Sequence, residues 1–163
     1  MPLTPPVTLR TATAADRELL VAVFGSTRMD ELALTDWSDE QKDQFCRMQF
    51  AAQDSHYTQH YPTAEYSVID LAGAPAGRLT VDRWQNEIRV MDIAILPEFR
   101  GRGIATYLLR ALQDEAAASN RCISIHVERS NPALRLYQRL GFQTHEETGL
   151  HLLMQWHPAD PPR

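Results

Sequence analysis

The stretch PEFRGRGIATYLLRAL, Pro97–Leu112, puts two arginines and two glycines into four consecutive residues and then turns apolar. Leu108, Leu109 and Leu112 recur at helical spacing, which predicts an amphipathic helix over Gly103–Ala118. The first N–H groups of such a helix have no intrahelical partner, and the macrodipole makes that end positive. Gly101 and Gly103 carry no side chain to obstruct a ligand, and Arg100 and Arg102 add charge. These ingredients suit a pyrophosphate at a helix N-terminus. A plain left-handed turn remains the alternative on these residues alone.

Outward from this stretch, both flanks read as sheet. EYSVIDL, GRLTVDRW and EIRVMDIAIL precede it as three strand-like runs, separated by Gly73-Ala74-Pro75 and Gln85-Asn86, which suit hairpins. CISIHVE follows it as a buried-type strand. Asn131 opens a further helix with Pro132 at its first position, and Gly141 ends it. FQTHEE and LHLLMQW close the pattern as a hairpin. At the other end, VTLRTA reads as a strand, and Thr13 with Asp16 caps a helix running to about Phe24. Gly25 to Asp36 reads as loop or short helix. Ser38 with Gln41 forms a capping-box pattern for a second helix that ends near Asp54. The expected order is β-α-α-β-β-β-α-β-α-β-β, an α/β (α+β) fold in one domain over residues 1–163. The Pro-rich tail, residues 157–163, is expected to fray.

The 163 residues include 44% hydrophobic and 23% charged side chains, as in a folded globular protein. No run approaches the roughly 20 apolar residues of a membrane span, and MPLTPPVTLR lacks the apolar centre of a secretory signal. Cys46 and Cys122 stand alone, which points to free thiols and a cytoplasmic setting. The six histidines form no metal-ligand spacing, so no metal is expected. The net charge of −5 argues against a general nucleic-acid binder. It is uneven. Pro97–Leu140 carries seven arginines against four acids, whereas Asp30–Asp54 carries seven acids against Lys42 and Arg47. Two ligand surfaces of opposite sign, or two solvated faces, both fit.

Other phosphate loops fit less well. A nucleoside-triphosphate loop of the form GxxxxGK[ST] needs a lysine that is absent here. A dinucleotide site would use Gly101 and Gly103, with Glu128 near the place of its ribose acid. However, the third small position is Thr106, PEFR separates strand from glycine, and only one βαβ unit is present.

Arg100-Gly101-Arg102-Gly103-Ile104-Ala105 matches the pattern [QR]-x-x-G-x-[GA], and NPALRLYQRLGF, Asn131–Phe142, follows about 25 residues later. With both segments in β-loop-α-β-α order, the chain resembles the GNAT superfamily of acyl-CoA-dependent N-acyltransferases. The resemblance is specific over Arg89–Phe142 and vague before Glu65. It implies a mixed, largely antiparallel sheet of about seven strands with four helices, and a V-shaped splay between the fourth and fifth strands. It implies acetyl-CoA as co-substrate. Backbone N–H groups from Arg100 through Ala105, that is Arg100, Gly101, Arg102, Gly103, Ile104 and Ala105, would hold the pyrophosphate, with the Thr106 hydroxyl as a further donor. The pantetheine arm would pair with Ile93, Ala94 and Ile95 as an added strand, and Asn131 would hold it from the other side. An N–H near Ile93 or Ala94 would stabilise the oxyanion.

The resemblance also gives Tyr137 the role of general acid towards the leaving thiolate. As a residue, it could equally be a core side chain with its hydroxyl at the rim. The position where some relatives carry a basic carboxylate is Arg89 here. Glu87, two residues back on the same strand face, is the substitute by period. Asp92 points the other way unless a bulge re-aims it, and Glu128 would need a water. Arg89 could instead pair with an acidic group of the substrate. The acceptor region offers Met29, Glu31, Phe45, Gln49, Gln53, His56, Tyr57, His60 and Tyr61. Within it, DSHYTQHYP could line a pocket for a polar acceptor or form a capped helix end and loop, and the second reading is the one favoured here.

The expected activity is acetyl transfer to a primary amine of a small-molecule or amino-acid-like acceptor, by direct attack in a ternary complex. The acidic N-terminal half favours a cationic amine. An acyl-CoA-binding sensor without turnover and a protein N-acetyltransferase are the alternatives. The exposed edge of the final strands could pair two copies into a homodimer.

Overall fold

The computed structural model describes residues 6–159; residues 160–163 of the expected frayed tail lie outside them. One seven-stranded sheet runs in the order β1-β2-β3-β4-β5-β7-β6. Its strands are β1 (Val7–Thr11), β2 (Glu65–Leu71), β3 (Ala74–Arg83), β4 (Glu87–Ile95), β5 (Cys122–Glu128), β6 (Gln143–Thr148) and β7 (His151–Trp156). The helices are α1 (Arg17–Ser26), α2 (Met29–Leu32), α3 (Asp39–His60), α4 (Ile104–Ala118) and α5 (Leu134–Arg139). Every strand pair is antiparallel except β4–β5.

Strand period assigns the two faces. Leu79, Val81, Ile88, Val90, Ile123, Ile125 and Val127 point to one side, where Ile104, Leu108, Leu109 and Leu112 of α4 complete the main core. The alternating residues Arg78, Thr80, Asp82 and Ser124 are buried on the other side, under α1 and α3. That face is polar. Arg78 is held by Asp92 and Gln53, and Thr63 donates to Asp82 at 2.6 Å. A smaller apolar cluster of Val21, Phe24, Leu32, Cys46 and Phe50 joins α1, α2 and α3.

Local chemistry explains most boundaries. Ser38 Oγ accepts from the Gln41 N–H at 3.2 Å, and the Gln41 side chain accepts from the Ser38 N–H at 2.9 Å. The helix so capped does not stop near Asp54 but continues to His60. DSHYTQH, Asp54–His60, is therefore the end of the helix and not a loop, and only Tyr61 and Pro62 of the stretch lie outside it. Its glycine and proline signals begin only at Pro62, and Tyr61, before that proline, leaves helical space at φ −132°. The β2–β3 turn sits at Ala72-Gly73, one residue earlier than expected. Both residues have positive φ, as a tight two-residue hairpin requires. Pro75 lies opposite Asp70 at an irregularity, where a missing N–H is tolerated. The expected helix at Asn131 starts at Leu134; Asn131 Oδ1 instead accepts from the Ala133 N–H at 2.8 Å in a turn.

Gly77 in β3 stands where β4 comes too close for a side chain. A Cβ there would lie 2.1 Å from the Ala94 carbonyl oxygen. Gly77→Ala is expected to destabilise the protein by about 1–3 kcal/mol, the usual range for overpacking. A chemical denaturation midpoint lowered at unchanged slope would show it.

Candidate active site

A single extra residue opens the sheet. Val81 pairs with Val90, but Thr80 pairs with Asp92, so Met91 is a bulge in β4. Bulges re-aim the side chains that follow them. Asp92 is thereby turned from the α4 side to the α3 side, where it meets Arg78. The parallel β4–β5 pairing covers only Glu87–Val90 against Cys122–Ile125. Beyond it, Met91–Ile95 remain paired to β3, and His126–Glu128 remain paired to β7. The two strands diverge, leaving one edge of β4 with backbone groups unpaired towards β5. This is the V-shaped splay, and Ile93, Ala94 and Ile95 lie on its β4 arm.

At the wide end of the V, a pocket of about 340 Å³ is lined by Ile95, Phe99, Arg100, Gly101, Gly103, Ile104, Ala105, Thr106, Leu136 and Arg139. Gly101 and Gly103 have φ of +76° and +78°, and a Cβ at either would meet nothing within 4 Å. The turn therefore shows an open concavity, and no other part of the protein packs against it there. Among the described residues, the N–H groups of Gly101, Arg102 and Gly103 have no backbone acceptor. The N–H groups of Ile104, Ala105 and Thr106 occupy the first turn of α4, ahead of the bond from the Tyr107 N–H to the Gly103 carbonyl at 2.9 Å. The arginines serve the loop itself. Arg100 Nε donates to the Ile95 carbonyl at 3.0 Å, and Arg102 Nη2 donates to the Glu98 carbonyl at 3.3 Å. Arg102 also lies over the Phe99 ring and is not part of the pocket lining.

At the closed end of the V, a second pocket of about 190 Å³ is lined by His56, Tyr57, Tyr61, Arg89, Val90, Met91 and His126. The last two turns of α3 supply its roof. Tyr57 donates its hydroxyl to the Met91 carbonyl at 3.3 Å, which ties α3 to the bulge. Burial, with the Asp92 carboxylate adding to it, pushes the Tyr57 phenol up to about 12. His56 and His60 lie with ring centroids 4.5 Å apart, and Tyr61 stacks on Trp84. Phe45, Gln49, Gln53 and His60 do not line this pocket, and neither do Met29 and Glu31.

Tyr137 is 3% exposed on α5 and packs against Phe142. Burial, reinforced by Asp92, raises its phenol well above the ordinary tyrosine value. No hydrogen bond is made by its hydroxyl among the described residues, and that oxygen is not among the fully buried unpaired atoms. Glu87 lies where β4 and β5 are still paired, opposite Cys122. Its carboxylate accepts from Ser124 Oγ and from Arg89, the latter at 2.9 Å. Glu128 pairs with Arg28 at 3.3 Å. Asn131 is exposed just past β5.

His126 went unnoticed in the sequence. Its ring is pushed below the ordinary histidine value by partial desolvation, then by the Arg89 cation and His151. The residue as a whole is exposed, so solvent still reaches the ring from the pocket side. The available signal was period: Cys122, Ser124 and His126 put three polar side chains on one face of an otherwise apolar strand.

The splayed sheet, with its glycine turn at the head of α4, defines the class of fold, and the comparisons agree. Residues 27–142 match the family described as "Acetyltransferase (GNAT) family". The chain belongs to this family. It is 36% identical over 84 residues to the mouse "Cysteine-rich protein 2-binding protein", a match covering 52% of this chain and 10% of that one. It is 33% identical over 84 residues to the Bacillus subtilis "Putative [ribosomal protein bS18]-alanine N-acetyltransferase", covering 50% of this chain and 56% of that one. The chain thus spans only a part of each curated relative. A Thermoplasma acidophilum PaiA N-acetyltransferase solved with coenzyme A superposes with a TM-score of 0.70 at 17% identity, over 93% of this chain and 98% of the other. An Elizabethkingia anophelis family member solved with acetyl-CoA superposes with a TM-score of 0.58 at 19% identity, over 93% and 98%. At such identities these structures establish the fold. Among the described residues there is no helix long and apolar enough to cross a membrane, and no cluster of metal-ligating side chains.

Proposed function

We propose that the protein transfers an acetyl group from acetyl-CoA to a primary amine of a small-molecule or amino-acid-like acceptor. The observation that carries this reading is the pair of pockets at the two ends of the β4 segment that parts from β5, one walled by bare backbone donors and one by titratable side chains. The pyrophosphate would take N–H groups of Gly101 through Thr106, and the arm would pair along Ile93, Ala94 and Ile95, with Asn131 at the opposite wall. Acetyl-CoA, once bound, supplies the thioester carbon.

Each residue then has one task in a direct attack. The neutral His126 imidazole accepts a proton from the acceptor ammonium, which frees its lone pair to form the C–N bond. An N–H beyond the Met91 bulge donates to the carbonyl oxygen as negative charge grows there. As the C–S bond breaks, Tyr137 donates its hydroxyl proton towards the sulfur. Its raised pKa keeps the phenol protonated until that moment. Glu87, first read as the base, is committed to Arg89 and Ser124, so its contribution is to fix Arg89.

The test is release of free thiol from acetyl-CoA across an amine panel. Release with at least one amine is expected; acetyl-CoA binding without release to any amine would leave a sensor. The pH profile tests His126. Its folded pKa lies below the ordinary value of about 6.5, so it is neutral at pH 7. Under saturation, kcat should hold as pH falls to about 6.5 and drop only below that. The same depressed pKa means that whatever stability the neutral ring contributes is lost on acidification through it. His126→Gln should lower the plateau by roughly 10²-fold and abolish that acid limb.

A further inference from the structure

We infer that the acceptor carries a carboxylate, as a free α-amino acid does, and that Arg89 is the residue that binds it. This rests on the acyl-transfer reading above and narrows its substrate class.

The smaller pocket holds about 190 Å³. That is the scale of a small polar molecule or of one terminal residue of a chain. Arg89 is the one permanently charged side chain in its lining, and no carboxylate is among the lining residues. The acids of the Asp30–Asp54 run lie on α2, α3 and the segment between them, away from this lining. The carboxylates on the same sheet face are engaged or sealed off: Glu87 is held by Arg89 and Ser124, Asp92 meets Arg78, and Asp82, opposite Arg89 in the β3–β4 register, is 2% exposed and accepts from Thr63. A polyamine or other purely cationic acceptor would therefore meet an arginine and no free counter-charge. Such a mismatch opposes binding. The acidic N-terminal half, which pointed to a cationic amine, does not reach the site.

Arg89 is built for recognition. Its guanidinium lies 5.0 Å from the Trp84 ring centroid, and Trp84 is itself stacked on Tyr61. Nε donates to Ser124 Oγ at 2.6 Å and Nη2 donates to Glu87 at 2.9 Å, so the plane of the fork is fixed. The side chain is only 14% exposed. Nη1 has no acceptor among the described residues and is not a fully buried atom, so it remains available to a ligand. A preorganised, partly desolvated guanidinium of this kind matches a planar carboxylate. His126 lines the same small space, so a ligand anchored by its carboxylate at Arg89 can present an α-amine to the imidazole. A peptide N-terminus would present an amide at that point and lose the charge-assisted bond.

The experiment compares the standard L-amino acids with their amides and decarboxylated amines, by calorimetry on the CoA-saturated protein and by thiol release from acetyl-CoA. At least one amino acid should be used with a KM roughly 10–100-fold below that of its amide, the span of a hydrogen bond to a charged group. Arg89→Gln should raise that KM by a similar factor, change kcat much less, and so remove most of the difference in KM between the acid and its amide. Arg89→Lys, which keeps charge but not the fork, should fall between. A bound carboxylate should also raise the His126 pKa seen by NMR. Amides or simple amines used as well as the acids would overturn the proposal, and would point to a peptide or cationic acceptor. So would a panel in which no amino acid binds although CoA does. If Arg89→Gln fails to fold, the acid-to-amide ratio of the wild-type protein decides. Failure to bind CoA at all would instead sink the acyl-transfer reading beneath it.

Discussion

Tyr137→Phe is expected to lower kcat by roughly 10²–10⁴-fold, the contribution of one well-placed proton donor, while leaving acetyl-CoA affinity nearly unchanged. The substitution removes one oxygen from a side chain that is 3% exposed and packed on Phe142. The ring contacts persist, and the hydroxyl makes no hydrogen bond among the described residues that could be lost. Removing a hydroxyl that has no protein partner and is not fully buried should cost little stability. A core role and a catalytic role therefore predict opposite outcomes: unchanged turnover in the first case, collapsed turnover with intact melting in the second. Steady-state thiol release alongside a thermal melt separates them.

Gly103→Val should weaken acetyl-CoA binding by about 10–100-fold, through strain of roughly 1–3 kcal/mol at a left-handed position and a side chain placed in the concavity. Gly103 has φ +78°, and nothing lies within 4 Å of the added Cβ. The first atom of the new side chain thus enters open space in the turn, which is the space a ligand would use. Arg102→Ala should cost less than about threefold, within the range of an exposed charge, because Arg102 bonds the Glu98 carbonyl and covers Phe99 outside the pocket lining. Calorimetric titration of both variants tests the ranking. Equal losses would mean that the arginine charge, and not the backbone, holds the phosphate.

Much of this arrangement was legible in the residues. The strand and helix order followed from period-2 and helical spacing, and Ser38-Gln41 capped α3 as its side chains required. RGRG before an apolar helix located the larger pocket. The smaller pocket was less visible, for two reasons. The length of α3 depended on tertiary contact: the Tyr57 hydroxyl reaches Met91, so DSHYTQH stays helical over a polar sheet face that a sequence cannot display. The bulge at Met91 had no glycine to announce it, yet it decides where Asp92 points and where β4 parts from β5. His126 could have been found from its strand period. That it shares a cavity with Arg89 could not, because the two residues meet only through the parallel pairing of strands separated by α4.

Titration of acetyl-CoA into the wild-type protein is the most direct test of the glycine turn. One-to-one binding is predicted, with a dissociation constant inside the range of about 1 μM to 1 mM usual for enzyme substrates, and with the heat lost in Gly103→Val. Absence of binding at acetyl-CoA concentrations well above that range, or equal binding by Gly103→Val, would contradict the assignment of the glycine turn and the acyl transfer built on it.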